Sequence, residues 1–211
     1  KAAQAILSAY PALAGASSSN IQIGLNLANI DGKGSVLASA ALSMRWSVSS
    51  TEMTFTMNVD TSDYNINNYN NGGLAATIAH EMTHLIMQDT LTSGMLGRNS
   101  EPYPLWFIEG MAQTASGDDG WLSNRLNANS SDAAIKNYLS QTASMPYGAG
   151  YLSTLYLAQM ASGQTAVSTA SLRNGVNKIL GDLVGGSTLS QVIAKYSNGK
   201  YANYRAFEKG V

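Results

Sequence analysis

The residues able to do chemistry in this chain gather in one stretch, GGLAATIAHEMTHLIMQDT, where His80, Glu81 and His84 form the pattern HExxH. In a helix of 3.6 residues per turn, imidazoles at i and i+4 stand on one face and can reach a single ion. Glu81 lies one residue after the first imidazole and three before the second, so its carboxylate flanks the metal position without having to bind there. That is the place for a base acting on water. Ile78, Met82 and Leu85 recur on another face, which predicts that they bury against the fold while the histidines face a cleft. These are the only two histidines, and cysteine is absent. Any metal must therefore be held by His, Asp or Glu, and disulfides, thiolate zinc sites and cysteine nucleophiles are excluded.

Catalytic zinc takes three protein ligands and keeps a fourth position open. The extension HExxHxxGxxH would need Gly at 87 and His at 90, where the chain has Met87 and Thr90. Downstream of the motif the glutamates are Glu101, Glu109 and Glu208, and Glu109 alone sits in an apolar helical run, PLWFIEGMA. A carboxylate buried there calls for a cation or a metal. Gly110 beside it would let the two helices approach closely, and Gln113, one turn on, could orient a ligand imidazole. Asp118 and Asp119 in SGDDG are rivals for the third ligand or for a calcium ion, Ca2+, and read better as a solvated turn. Asp60 and Asp63 with Asn65, Asn67 and Asn68 offer oxygen donors without calcium-loop spacing and read as loop residues. With no third histidine, a tetrahedral oxyanion needs another donor, for which Tyr147 and Tyr151 in SMPYGAGYLSTLYLAQM are the candidates. Leu152, Leu155 and Tyr156 of that segment read as core.

The elements that must position these groups follow from periodicity and punctuation. The segment up to about Leu13 reads as a short helix that stops at Pro11 to Gly15 and caps a sheet. IQIGLNL, SVLASAALSM and EMTFTMNV predict three or four strands between Ile21 and Asp60. Thr61 to Gly73 is Asn-rich and reads as a loop. Helices are expected near 74–90, 104–116, 131–140, 148–162, 168–184, 187–196 and 201–209. Strands first and helices afterwards give an α+β class: a small N-terminal mixed sheet with the HExxH helix over 1–90, a mainly helical part over 91–211, and the active-site cleft between them. At 211 residues these two parts form one catalytic domain.

Only 12% of residues are charged and the formal net charge is −1, so no basic stripe exists for phosphate backbones or anionic lipids. No apolar run approaches the roughly 20 residues that cross a bilayer. Nucleic acid and membrane are thus not expected as partners. The opening KAAQAILSAYPALAG lacks an initiating Met and a signal-peptide arrangement, which suggests an excised domain or processed product.

Through AHEMTH, then WFIEGMAQ, then the YGAGYL region, the chain resembles the gluzincins, HExxH peptidases with a downstream glutamate ligand. More closely, GGLAATIAHEMTHLIMQDTL with PLWFIEGMAQTASGDDGW resembles the flagellinolysins, collagenase-related peptidase domains inserted in bacterial flagellins. The resemblance implies one catalytic zinc on His80, His84 and Glu109, with Glu81 as base. It also implies an extracellular endopeptidase displayed on the bacterial flagellum, with flagellin filament subunits as partners in the full-length protein. Gln113 stands where members of the family often carry an acidic residue. Substrate is expected to bind extended, pairing with an edge strand within Glu52 to Val59. A non-catalytic filament module that binds zinc or peptide for structure or adhesion is the alternative, and intact Glu81 argues against it.

Overall fold

A computed structural model describes residues 2–14, 20–32, 37–46, 51–63, 73–93, 101–117, 126, 129–141 and 147–211. Helix α1, Ala2–Ala9, runs into a 3-10 turn at Pro11–Ala14 and is followed by strands β1, Asn20–Ala28, β2, Ala38–Trp46, and β3, Thr51–Asp60. Helices then follow: α2 at Gly73–Ser93, α3 at Leu105–Ser116, α4 at Asp132–Leu139, α5 at Gly148–Ser162, α6 at Thr169–Val184, α7 at Leu189–Tyr196 and α8 at Tyr204–Gly210. The class is α+β, mostly helical, with a three-stranded mixed sheet. Among the described residues no helix is long and apolar enough to cross a membrane. Most of the Asn-rich loop, residues 64–72, lies outside the described residues, as do Asp118 and Asp119.

The strand order is β1-β3-β2, with β1 parallel and β2 antiparallel to β3. This corrects one expectation. The strand containing Glu52 to Val59 is the centre of the sheet, hydrogen-bonded on both sides, and offers no free edge to a substrate. Its composition explains the position: Phe55, Met57 and Val59 alternate on one face and are fully buried against Ile78, Met82 and Leu85 of α2. The pleat sends every second side chain to the same face, so this strand takes the most covered place.

Helix α2 is apolar on two flanks. Besides the sheet, it packs through Met87 and Leu91 on the larger core that includes Trp106, Phe107, Leu157, Ile179 and Phe207. Helix α1 joins this helical core and does not cap the sheet as expected. Ile6, Tyr10 and Leu13 are buried in it, the Thr90 hydroxyl donates to the Leu13 carbonyl at 3.1 Å, and the Asn177 amide donates to the Ala9 carbonyl at 3.0 Å. A short apolar helix docks on whatever apolar surface its chain end reaches, which periodicity alone does not reveal.

Helices α3, α5 and α6 meet through small residues. A Cβ on Gly110 would overlap the Gly150 carbonyl and the Thr154 hydroxyl, one on Gly150 would overlap the Trp106 carbonyl, and one on Gly175 would overlap the Ala158 carbonyl. Gly110 therefore brings α3 against α5, not against the HExxH helix as expected. The buried face of α5 is Gly148, Ala149, Gly150, Ser153, Thr154, Leu157, Ala158, Ala161 and Ser162. Tyr156 is 37% exposed, and Leu152 and Leu155 are only partly buried. The large side chains read as core lie outside the tight seam because backbones this close leave room only for small ones.

Candidate metal centre

Helix α2 carries His80 and His84 one turn apart, with ring centroids 4.7 Å apart and planes at 84°. Their Nε2 atoms approach to 3.0 Å, and Glu109 Oε2 from α3 stands 3.1 Å from His80 Nε2 and 3.4 Å from His84 Nε2. Three donor atoms of the kinds zinc prefers thus form a nearly equilateral triangle. A tetrahedral zinc site with bonds of about 2.0–2.1 Å has donor-to-donor edges of about 3.3–3.4 Å, so the residues fit the ion with little adjustment. Two imidazoles and a carboxylate suit several divalent first-row metals, zinc among them.

The electrostatics match that donor set. Burial works to raise the Glu109 carboxyl, but hydrogen bonds and charge from His80 and His84 outweigh it and hold the group at about 2. Glu109 is ionised and ready as a ligand. Glu81, only 8% exposed, is pushed up by burial; the nearby His84 and His80 pull it down and Glu109 pushes it further up. A carboxyl raised in this way is a better proton acceptor than a solvated one.

The rival glutamates have other employment. The Glu101 carboxylate accepts the Ser190 backbone N–H at 3.1 Å and the Ser190 hydroxyl at 2.8 Å, at the first turn of α7. Glu208 accepts the Trp106 indole N–H at 2.7 Å. Neither belongs to the donor cluster, which among the described residues consists of His80, His84 and Glu109.

Tyr147, at the head of α5, lies beside the imidazoles with its ring centroid 6.1 Å from that of His80. Burial, then the charges of Glu109 and Glu81, raise its phenol, which keeps it protonated and able to donate. Tyr151 is one turn further along α5, is partly buried, and its backbone N–H donates to the Tyr147 carbonyl at 2.8 Å. Tyr147 is thus the tyrosine seen in ring contact with His80.

Gln113 makes no hydrogen bond to His84 Nδ1. It is buried at 2% exposure, yet His84 Nδ1 is buried with no hydrogen-bond partner in this structure. Four residues carry Gln113 about 6 Å along the helix axis from Glu109, a full turn past the carboxylate.

A second group of acids, Asp31, Asp60 and Asp63, also comes together. Asp60 is fully buried; its Oδ2 accepts the Ile30 and Asp31 N–H groups, both at 2.8 Å, and its Oδ1 accepts the Ser62 N–H at 2.9 Å and hydroxyl at 2.6 Å. The Ser62 hydroxyl foremost, with those backbone donors, holds its carboxyl well below the usual range against the opposing effect of burial. The visible work of Asp60 is to tie the end of β1 to the end of β3. Sequence reading missed this tie, whose only signal was an Asp at the end of a strand beside a serine two residues on.

No protein-family model matches the chain, nor does any curated protein or solved structure.

Proposed function

We propose that the chain is a zinc-dependent endopeptidase of the gluzincin type. The observation that carries the reading is the convergence of His80 Nε2, His84 Nε2 and Glu109 Oε2 within 3.4 Å of one another, beside a buried carboxyl one residue after the first histidine. An ion held by the three would supply Lewis acidity, lowering the pKa of water to about 7 and polarising a peptide carbonyl.

The chain's own residues divide the remaining work. Glu81 takes a proton from the attacking water at a carboxylate oxygen and later delivers it to the leaving amine nitrogen. Its raised pKa serves both transfers. Tyr147, 39% exposed, donates its phenolic hydrogen to the developing oxyanion. The peptide lies extended along a sheet edge. Since β3 is interior, the edge beside the metal helix is β2, on which α2 packs. Sparse charge and the resemblance to flagellin-inserted peptidases favour action outside the cell on the flagellar filament, among flagellin subunits.

The deciding experiment incubates the chain with a denatured protein substrate, with and without chelator, beside Glu81→Gln. Cleavage that chelator abolishes and zinc restores is expected. Glu81→Gln should keep zinc and fold while turnover falls at least about 100-fold, because proton transfer is lost and no ligand is. Near-normal turnover in that variant would show that another group is the base. Zinc binding without any cleavage would favour the non-catalytic filament module.

A further inference from the structure

We infer that Glu208, on the C-terminal helix α8, is a positioning residue for the metal centre: through Trp106 it sets the pose of α3 and hence of Glu109. The inference rests on the metal-binding reading of His80, His84 and Glu109. Both histidines come from one continuous helix, so their spacing is fixed by α2 alone. Glu109 is the donor that arrives from a different element, and closure of the donor triangle depends on how α3 sits against α2.

The first turn of α3 has no side-chain cap, since its N-cap residue is Pro104, which makes no side-chain cap hydrogen bond. What grips that turn instead is Trp106, three residues before Glu109. Its indole N–H donates to Glu208 Oε1 at 2.7 Å, its ring stacks on Phe207 with centroids 5.4 Å apart at 26°, and its backbone lies against Gly150. Phe207 is itself held by Tyr201, edge-on at 5.2 Å, and by Tyr156, stacked at 6.1 Å. Residues at i and i+3 on a helix turn together about its axis, so a rotation that releases Trp106 also swings Glu109 away from the imidazoles. Loss of the half-buried carboxylate that accepts from the buried indole N–H removes a polar restraint on that turn, and the fraction of molecules with Glu109 in place falls, which weakens apparent metal affinity in proportion.

The test measures zinc dissociation constants of the full chain by competition with a chromophoric chelator. Glu208→Ala is expected to weaken zinc binding about fivefold. Glu208→Gln keeps an oxygen acceptor for the indole and should stay within about twofold of the parent chain. Glu101→Ala removes two hydrogen bonds at the start of α7 without touching Trp106, and should leave zinc affinity unchanged. Trp106→Phe attacks the same bond from the other partner while keeping a ring on Phe207; it should reproduce the fivefold loss, and combining it with Glu208→Ala should add little. Unchanged affinity in Glu208→Ala, equal losses in Glu208→Ala and Glu101→Ala, failure of the Gln variant to rescue, or additive losses in the double variant would each overturn the assignment. Should Glu208→Ala not fold, the Trp106→Phe and Glu208→Gln pair decides the matter alone. A parent chain that binds no zinc overturns both this assignment and the peptidase reading, whereas zinc binding without hydrolysis overturns the peptidase reading only.

Discussion

Replacing Gly150 by Ala adds one methyl group at the point where α5 touches the backbone of α3. The new Cβ would stand 3.1 Å from both the Cα and the carbonyl carbon of Trp106, and closer still to its oxygen. Carbon atoms rest at about 3.5–4.0 Å, so the helices must part by about 0.4–0.9 Å, and the obstacle is backbone that cannot rotate aside. Overpacking of this kind costs about 1–3 kcal/mol, which for a chain this long lowers the melting temperature by about 2–12 °C. The displacement falls on α3 three residues from Glu109, while metal geometry tolerates about 0.2 Å. Zinc affinity should therefore fall at least about tenfold together with the melting temperature. Gly181→Ala supplies the opposite sign. It lies inside α6 with nothing within 4 Å of the added methyl, so the ordinary helix gain of about 0.5–1 kcal/mol should raise the melting temperature by about 1–4 °C. Calorimetry of both variants and chelator competition on the first would measure these effects. A Gly150→Ala chain that melts and binds zinc like its parent would refute the seam, and so would a Gly181→Ala chain that loses as much as Gly150→Ala.

Two further outcomes can be checked. Glu109→Ala should weaken zinc binding about 100-fold or more, whereas Glu101→Ala should cost only about 1–2 kcal/mol of stability through its lost cap on α7; equal zinc loss in both would remove Glu109 from the centre. The Asp60 carboxyl is held below its unfolded value of about 3.9, so its contribution to stability is present above that pH and is lost as pH falls toward the folded value. The gap in melting temperature between the parent and Asp60→Asn, measured on chelator-stripped protein, should be widest near neutrality and close progressively below about pH 4; a gap that does not change with pH would mean the charge is irrelevant there.

What could be read from the sequence, and what could not, divides along a physical line. The i, i+4 imidazoles are set by one helix, so HExxH fixes their relation locally. Glu109 was legible because an acid in an apolar run needs a partner, and the structure supplies one from α2. Helices and strands also came out near their expected bounds, since period and punctuation are local properties. The failures are all matters of which element lies beside which. Nothing within EMTFTMNV says that two other strands will flank it, and nothing in AAQAILSA says which apolar surface it will find. Leu152, Leu155 and Tyr156 were misread for a sharper reason. Amphipathic reading ranks faces by hydrophobicity, but a helix wedged between two others is ranked by size, and the face that packs tightest is the one with least side chain. In α5 those contacts are made by Gly150 and Thr154 against α3 and by Ala158 against α6; all look indifferent in the sequence, yet the first two set how closely α5, with Tyr147 at its head, approaches α3, which carries Glu109. The residues that could hold a metal are thus conspicuous by chemistry, while those that hold them in place are conspicuous only once the neighbouring backbones are known.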